Sequence, residues 1–421
     1  MILAHDKYKI LLFAPAFAPF ANPEAIVNNK LALAFKSAGW YVDVITRSDN
    51  ELSDYNYGSM WEDCWLPLRP STHPVTYEKV NRPARLVGTV MGALRTRYPG
   101  IGCRWASHSL KLALSMHREK RYDVIISRAL PDFAHIPALL FAESTGLPWI
   151  ANWNDPPLFL FPPPYNNRMS PFRRFINDRL VRAVINHATA ITFPSDRLKA
   201  YVCENYGQTY AEKSFVIPHA ALSWPNVAGP LGNILTLCHA GNLYAERDPS
   251  VFFRGLYHFL KRNQITRARF INIGMEAVNI KEKIVEEGLS DHVTLLGKQS
   301  YMETINYLSR CDILVAIENR YKGNIFLPSK ISDYAQTGRP ILSISPPDSS
   351  THDIIKQHGG GIAVDCRSSE AIVDALLELY SHWEGTTLNE KYGSHRLYYL
   401  FSPERIIASY ENIFSKIGLA S

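Results

Sequence analysis

Short apolar runs alternate with amphipathic stretches along most of the chain. The runs YKILLF, WYVDVIT and DVIISR have the length and the branched side chains of buried strands. Between the first two, apolar residues recur at helical spacing from Glu24 until Gly39. Strand, helix and strand in this order are typical of a doubly wound parallel sheet, so the pattern predicts an α/β fold. Residues 51–98 are less regular, and they predict no clear element.

The same alternation starts a second time after a segment rich in proline and glycine. Residues 222–233, LSWPNVAGPLGN, contain two prolines, two glycines and no charged side chain, which is typical of a linker. We therefore expect a Rossmann-like domain over residues 1–222, a linker over 223–233 and a second Rossmann-like domain over 234–402. The final segment, SPERIIASYENIFSKIG, has an apolar stripe at helical spacing that must be buried against a partner.

The segment NIFLPSKISDYAQTGRPIL, residues 324–342, combines several features of an anion site. Pro328 and Ser329 stand where a helix begins, with Ser329 as the expected N-cap. A helix N-terminus attracts phosphate, and Lys330 adds a positive charge to the first turn. Asp333 lies one turn later on the same face and can accept hydrogen bonds from sugar hydroxyls. The segment suits a nucleoside diphosphate, and the alternative is a capped surface helix between two strands.

Composition and charge exclude several classes of protein. The chain has 421 residues, of which 46% are hydrophobic and 20% charged, as in globular proteins of two or three domains. No apolar run approaches the roughly 20 residues that span a bilayer, and two prolines interrupt the first run, so we expect a cytoplasmic protein. The opening loop lacks the G-x-G-x-x-G pattern of dinucleotide-binding domains. The six cysteines are scattered singly, and no cofactor or metal is expected.

Positive charge is concentrated in residues 82–121, which contain nine lysines or arginines and one acid within a net charge of +6. Two aromatic residues are too few for a base-stacking platform, so no nucleic-acid partner is expected. The basic residues are interleaved with leucine, valine and methionine, which suits the headgroups and acyl chains of an anionic membrane surface. The prediction is a peripheral protein on the inner face of the membrane, and the alternative is a solvated basic face.

The order of the motifs over both halves resembles the retaining GT-B glycosyltransferases of the family-four type. The resemblance rests on HAGNLYAERDP (239–249), on the strand ends at Gly274 and Lys298, on LPSKISDYAQTGRPIL and, in the first half, on GLPWIANWNDPP. It implies two Rossmann-like domains facing across a cleft, with the C-terminal helix 403–421 packing back on the first domain. It also implies an enzyme of the hexosyltransferase type, independent of metal, that moves a sugar from a nucleotide-sugar donor to a glycan or lipid-linked acceptor.

The resemblance assigns roles on the donor side. Gly241 and Asn242 end the strand that faces the donor diphosphate, and Arg247 and Lys330 neutralise the leaving phosphates. Asp333 stands at the second acid of the family's paired-acid motif, which holds the ribose. The other donor-binding residues that it implies are Gly274, Lys298 and Ser329.

One position departs from the family pattern. The first acid of the motif stands eight residues before Asp333, and this chain has Ile325 there. The hydroxyls of the donated sugar, which that acid usually binds, would then be bound by another group, either the backbone N–H groups of residues 324–327 or the carboxyl of Glu318.

In the first half, the resemblance places Asp155 near the family's polar catalytic position, with an Asx turn before Pro156 as the alternative. Asn22, Pro23 and Glu24 lie on the loop expected to face the acceptor, with plain helix capping as the alternative. Retention without an obvious nucleophile implies front-face attack, in which the donor phosphate accepts the proton of the acceptor. Two other functions stay open: a nucleotide-sugar 2-epimerase, and a non-catalytic carbohydrate- or lipid-binding relative.

Overall fold

A computed structural model describes residues 7–20, 22–48, 61–75, 82–100, 102–163, 165, 169–207, 210–222, 233–244, 247–262, 264–277, 279–321 and 323–419. The chain divides into two compact units. Unit 1 contains Met1–Pro218 and Ile406–Ser421, and unit 2 contains His219–Arg405. The predicted linker over 223–233 lies outside the described residues except for its last residue.

Unit 1 is built on a seven-stranded sheet in the order β3-β2-β1-β4-β5-β6-β7, in which every neighbouring pair is parallel. Its strands are β1 Lys9–Phe13, β2 Tyr41–Arg47, β3 Thr72–Val75, β4 Val124–Ala129, β5 Trp149–Trp153, β6 Ala190–Phe193 and β7 Ser214–Val216. Its helices are α1 Pro23–Ser37, α2 Arg82–Thr96, α3 Cys103–Lys120, α4 His135–Thr145, α5 Pro171–His187 and α6 Asp196–Tyr206. Short 3₁₀ helices lie at Asp63–Ser71, Asp132–Ala134 and Leu158–Leu160.

Unit 2 repeats this plan with a six-stranded parallel sheet in the order β10-β9-β8-β11-β12-β13. Its strands are β8 Leu235–Ala240, β9 Ala268–Ile273, β10 Val293–Gly297, β11 Ile313–Ile317, β12 Ile341–Ser345 and β13 Gly361–Asp365. Its helices are α7 Ser250–Arg262, α8 Asn279–Glu286, α9 Tyr301–Arg310, α10 Lys330–Gln336, α11 Ser350–His358, α12 Ser369–Glu384, α13 Leu388–Tyr392 and α14 His395–Phe401. The last helix, α15 Pro403–Lys416, continues into unit 1.

Three of the inner strands, β4, β5 and β11, are buried along their whole length. All six residues of β4, all five of β5 and all five of β11 are buried, because helices cover both faces of a doubly wound sheet. Continuous apolar runs are the sequence pattern of such strands, and the predicted α/β fold is confirmed.

The core of unit 2 shows how a helix is held on the sheet. Phe252, Phe253 and Phe259 of α7 are at most 1% exposed. Phe252 and Phe253 pack with Phe270 of β9, and Phe259 packs with Tyr380 of α12. Burying a side chain of this size contributes about 1.5–3 kcal/mol relative to leaving it exposed.

Residues 51–98, for which the sequence pattern predicts no clear element, include the strand β3 and the 15-residue helix α2. The large apolar residues of α2 do recur at helical spacing, at positions 86, 87, 90, 91 and 94, but this stripe is exposed and does not face a core. Two glycines weaken the helical propensity of the segment. A Cβ on Gly92 would lie 3.0 Å from the carbonyl oxygen of Cys103, so this glycine lets α2 lie against α3.

The second part of α15 packs on unit 1. The ring of Tyr410 lies 4.9 Å from that of Phe35, and the ring of Phe414 lies 4.8 Å from Tyr8 and 5.2 Å from Trp40. Tyr410 and Phe414 are buried. Within the described residues, no helix has both the length and the apolar composition to cross a membrane.

Candidate active site

Two glycines shape the carboxyl edge of the sheet in unit 2. Gly241 follows β8 and Gly274 follows β9, with φ angles of +147° and +143° that favour glycine. A Cβ on Gly274 would lie 2.4 Å from the carbonyl oxygen of Gly241. A Cβ on Gly241 would lie 2.4 Å from Nζ of Lys330. The two glycines therefore let the strand ends lie close together and leave space for the lysine.

Helix α10 begins at Lys330, the position that the sequence predicts. Ser329 stands at the N-cap, but its φ and ψ of −56° and −29° are helical and its side chain makes no capping hydrogen bond. The prediction of a capping hydroxyl is therefore wrong, because a capping side chain needs an extended backbone before the helix. At the other end, Gly338 has a φ of +72°, which terminates the helix.

Lys330 and Arg247 bring two positive groups to this edge. The ammonium of Lys330 lies 3.2 Å from Nε2 of His239. Burial and the charge of Arg247 hold the pKa of Lys330 well below its usual range. The guanidinium of Arg247 lies 5.5 Å from the centre of the Tyr244 ring. Because the two cations repel each other, a bound diphosphate would stabilise both.

The remaining donor-side residues differ in their surroundings. Asp333 accepts a hydrogen bond of 2.8 Å from the hydroxyl of Tyr301. Asn242 uses its Oδ1 to accept from the backbone N–H of Met275 at 2.9 Å, which joins the loops after β8 and β9. Lys298, after β10, is exposed. The structure thus places Lys330 beside Gly241 and close enough to Arg247 for their charges to interact, while the side chain of Asn242 is hydrogen-bonded to the backbone of Met275.

The residue at the position of the first acid, Ile325, is buried and offers no polar side chain. Glu318 lies at the end of β11, and its Oε2 accepts a hydrogen bond of 2.6 Å from Nδ2 of Asn324 in the neighbouring segment. Burial raises the pKa of Glu318 to about 7, although hydrogen bonds and the charge of Arg247 oppose the rise. Glu318 is therefore a carboxyl that can hold or release a proton near neutral pH.

In unit 1, the loop before α1 caps the helix. Asn22 is the N-cap of α1, and its Oδ1 accepts from the backbone N–H of Ala25 at 2.8 Å. Pro23 is the first residue of the helix, where a missing N–H costs nothing. The capping interpretation therefore accounts for the geometry of Asn22 and Pro23.

Glu24 belongs instead to a polar cluster at the carboxyl ends of β4 and β5. Its Oε1 accepts a hydrogen bond of 2.6 Å from Nδ2 of Asn154. Asn154 in turn accepts one of 2.9 Å from Nη2 of Arg128, and Nε of the same arginine donates to Oδ1 of Asn28. Burial raises the pKa of Glu24 to about 8, with Arg128 opposing the rise and Asp155 adding to it.

Asp155 follows Asn154 and lies close enough to Glu24 for the two carboxyls to repel each other. Asp132 is a further acid in unit 1, and it accepts a hydrogen bond of 2.9 Å from the backbone N–H of Leu158. Burial raises the pKa of Asp132 to about 6. Paired carboxyls of this kind are typical of sites that bind hydroxyl groups or move protons.

His239 and Arg128 are site residues that the sequence does not predict. The apolar pattern places both in strands, His239 in LTLCHA and Arg128 in VIISRA. The available signal is their place near the carboxyl end of a buried strand, because ligands of doubly wound sheets bind at that edge. Among the described residues, no group of three or more His, Cys, Asp or Glu side chains could hold a metal ion.

Two family models match this chain. Residues 25–220 match a glycosyl transferase 4-like domain, and residues 235–382 match the glycosyl transferases group 1. The two matches follow each other in the order expected and together cover most of the chain. No curated protein matches the chain.

Solved structures share the fold at low sequence identity. Sucrose-phosphate synthase from Thermosynechococcus elongatus aligns with a TM-score of 0.66 and 15% identity, over 98% of this chain and 100% of that one. HepE from Anabaena, in complex with UDP, aligns with a TM-score of 0.64 and 12% identity, over 97% and 100%. The lipopolysaccharide outer core galactosyltransferase WaaB aligns with a TM-score of 0.59 and 15% identity, over 97% and 99%. These structures show the shared fold, and the two family models, which match residues 25–220 and 235–382, show that the chain belongs to the GT-B glycosyltransferases of the family-four type.

Proposed function

We propose that this protein transfers a hexose from a nucleotide-sugar donor to a hydroxyl of a glycan or lipid-linked acceptor, with retention of configuration and without a metal ion. The proposal is carried by one observation: Lys330 lies beside Gly241 at the carboxyl edge of the sheet, and a second cation, Arg247, is close enough to lower its pKa. It fits a role in cell-surface polysaccharide or glycolipid synthesis. The similarity to HepE, whose structures contain UDP and UDP-glucose, supports a donor of this class.

The cations have a chemical task in such a reaction. When the bond between the anomeric carbon and the phosphate oxygen breaks, the departing nucleoside diphosphate gains negative charge. Lys330 and Arg247 stabilise that charge, and removing one such contact typically costs about 10²–10³ in kcat. In the front-face mechanism, the acceptor oxygen forms the new bond on the same face and its proton goes to the departing phosphate oxygen.

The roles of the other residues follow from their chemistry. Asp333 and its partner Tyr301 are suited to the ribose hydroxyls, and Glu318 to hydroxyls of the transferred sugar. Glu24 and Asp155 are suited to acceptor hydroxyls, because carboxyls accept hydrogen bonds from such groups.

The first experiment measures binding and then turnover. Isothermal titration calorimetry with UDP, GDP, dTDP and ADP tests the diphosphate site, and mass spectrometry with a panel of nucleotide sugars and acceptors tests transfer. We expect one nucleoside diphosphate to bind, and its hexose derivative to act as donor in buffer that contains EDTA.

Three outcomes would contradict this proposal. Conversion of the free nucleotide sugar without any acceptor would favour a 2-epimerase. Failure to bind any of the four diphosphates would favour a non-catalytic relative. Loss of transfer in EDTA, with recovery on adding magnesium or manganese, would contradict the metal-independent mechanism.

We further propose that unit 1 attaches to the anionic inner face of a membrane through α2. Five large apolar side chains on this helix are 43% to 71% exposed: Leu86, Val87, Val90, Met91 and Leu94. Arg82, Arg85 and Arg95 on the same helix are also exposed. Apolar side chains that enter the headgroup region, next to arginines that attract anionic lipid, are typical of interfacial helices.

A second exposed segment lies beside α2. The first turn of α5 exposes Phe172 and Phe175, each by 63%. Further along the same helix, Arg179 donates a hydrogen bond of 3.2 Å to the carbonyl of Arg97, which follows α2 directly. The remaining apolar residues of the basic stretch, Leu110, Leu112 and Leu114, are only partly exposed on α3. The proposed membrane face is therefore confined to α2 and the start of α5.

Liposome co-sedimentation tests this proposal. Changing Arg82, Arg85 and Arg95 together to Glu should abolish binding to anionic vesicles, and changing Leu86, Val90 and Leu94 to Ser should weaken it. Binding of the unchanged protein should fall with salt, because attraction is screened over about 8 Å at physiological ionic strength. Val285→Ser, at an exposed apolar residue of α8, is the control. Equal pelleting on neutral and anionic vesicles would contradict the proposal.

A further inference from the structure

His239 is a fully buried histidine whose tautomer is determined by its surroundings. Its Nδ1 lies 2.8 Å from the carbonyl oxygen of Val315 on the neighbouring strand β11. A carbonyl can only accept, so Nδ1 carries a hydrogen. Burial, Lys330 and Arg247 lower the pKa of His239 well below its usual value. The ring is therefore neutral, and its Nε2 offers a lone pair.

This lone pair is directed at Lys330. The Nζ of Lys330 lies 3.2 Å from Nε2 of His239, so the ammonium donates a hydrogen bond to the ring. Nζ also occupies the space that a Cβ on Gly241 would fill, a point that lies 3.2 Å from Nε2 of His239 as well. Among the described residues, no carboxylate forms an ion pair with Lys330. The position of the ammonium therefore depends on a neutral partner, which leaves its charge for a ligand.

The same carbonyl of Val315 ties this arrangement to α10. The hydroxyl of Tyr334 donates to it at 3.2 Å and accepts from the backbone N–H of Ala240 at 2.7 Å. Hydrogen bonds thus connect the end of β8 and the middle of β11 with the helix that carries Lys330. The carbonyl that accepts from His239 is thus held by a second hydrogen bond, and the buried ring has little freedom to rotate.

We propose that His239 is a positioning residue that fixes the ammonium of Lys330 for the diphosphate of the donor. It does so with a hydrogen bond that only the neutral ring with its hydrogen on Nδ1 can accept. This inference rests on the proposed function, since it assigns a residue to the same diphosphate site. A residue that acts in this way affects donor binding and turnover only through Lys330.

Two substitutions separate the two nitrogens of the ring. In His239→Asn, the amide N–H can still donate to the Val315 carbonyl, but the side chain is too short to reach Lys330. In His239→Gln, the amide oxygen can take the place of Nε2. Calorimetry with the diphosphate that binds best among UDP, GDP, dTDP and ADP, together with kcat and KM, compares these variants with the control His358→Asn at an exposed histidine.

We expect His239→Asn to weaken diphosphate binding and kcat/KM by about tenfold or more, because hydrogen bonds to charged groups are among the stronger ones. His239→Gln should recover most of the loss. The double variant of His239→Asn and Lys330→Ala should be no weaker than Lys330→Ala alone, as expected for residues that act as a unit.

Normal binding in both single variants would overturn this inference and leave the proposed function intact. The inference would also be overturned if His239→Asn and His239→Gln lost diphosphate binding equally and both had a lowered melting temperature. That result would indicate a structural role for the histidine. Additive losses in the double variant would overturn the inference as well. An unchanged protein that binds none of the four diphosphates would overturn the proposed function and this inference with it.

Discussion

At the scale of single residues, the donor-side site depends on the positive charges of Lys330 and Arg247, neither of which has an ion-pair partner among the described residues. We expect Lys330→Ala and Arg247→Ala each to lower the rate of transfer by about 100-fold or more, because each removes a charge that stabilises the leaving group. The melting temperature should stay close to that of the unchanged protein. Lys281→Ala, at an exposed lysine of α8, is the control. Near-normal turnover in either variant would contradict the donor-site assignment.

The acid Glu24 gives unit 1 a pH dependence whose direction can be worked out. Burial raises its pKa from 4.5 to about 8, so between these values the folded chain holds a proton that the unfolded chain has lost. Stability therefore falls as the pH rises through this window. Glu24→Gln cannot ionise, and we expect its melting temperature to change less between pH 5 and pH 8.5. Parallel pH curves for the two proteins would contradict the assigned pKa.

At the scale of elements, the two glycines at the strand ends make different contacts. A Cβ on Gly241 meets the flexible end of Lys330, whereas a Cβ on Gly274 meets backbone atoms of Gly241. Both positions have positive φ, so both alanine variants carry strain. We expect Gly241→Ala to lose activity with a modest fall in melting temperature, and Gly274→Ala to lose more stability. Calorimetry and transfer assays on both variants check this order, and the reverse order would contradict it.

The elements that the sequence predicts well are those that bury a continuous face. The strand β4 and the helix α1 follow from apolar spacing alone, because each has a clear buried pattern. Helix α2 has its large apolar residues at helical spacing too, but they lie on the exposed side, so spacing alone would place the wrong side against a core. The capping role of Ser329 fails for a similar reason, since residue type does not fix the backbone angles at that position.

At the scale of the whole molecule, the order of strands and helices predicts the α/β architecture of both units. The candidate site is harder to predict, because its contacts join residues far apart in the sequence. Lys330 is evident from its motif, but its contact with His239 spans 91 positions. The contact of Glu24 with Asn154 spans 130. Such pairs come together only through sheet order, which the spacing of motifs does not give.

The last helix, α15, packs on residues from the beginning of the chain, and it does so through its two aromatic side chains. Tyr410 and Phe414 are buried against Tyr8, Phe35 and Trp40 in unit 1. Truncating a buried aromatic residue to alanine typically costs about 3–5 kcal/mol, because it leaves a cavity. We therefore expect Phe414→Ala to lower the stability of the protein strongly.

A matched control lies on the same helix. Glu411 forms an exposed ion pair of 2.6 Å with Lys7, and exposed pairs of this kind contribute little. We expect Glu411→Ala to leave the melting temperature almost unchanged. Differential scanning calorimetry of the two variants beside the unchanged protein separates the effect of buried rings from that of the helix surface. Equal melting temperatures for all three proteins would mean that the contact of α15 with unit 1 adds no stability.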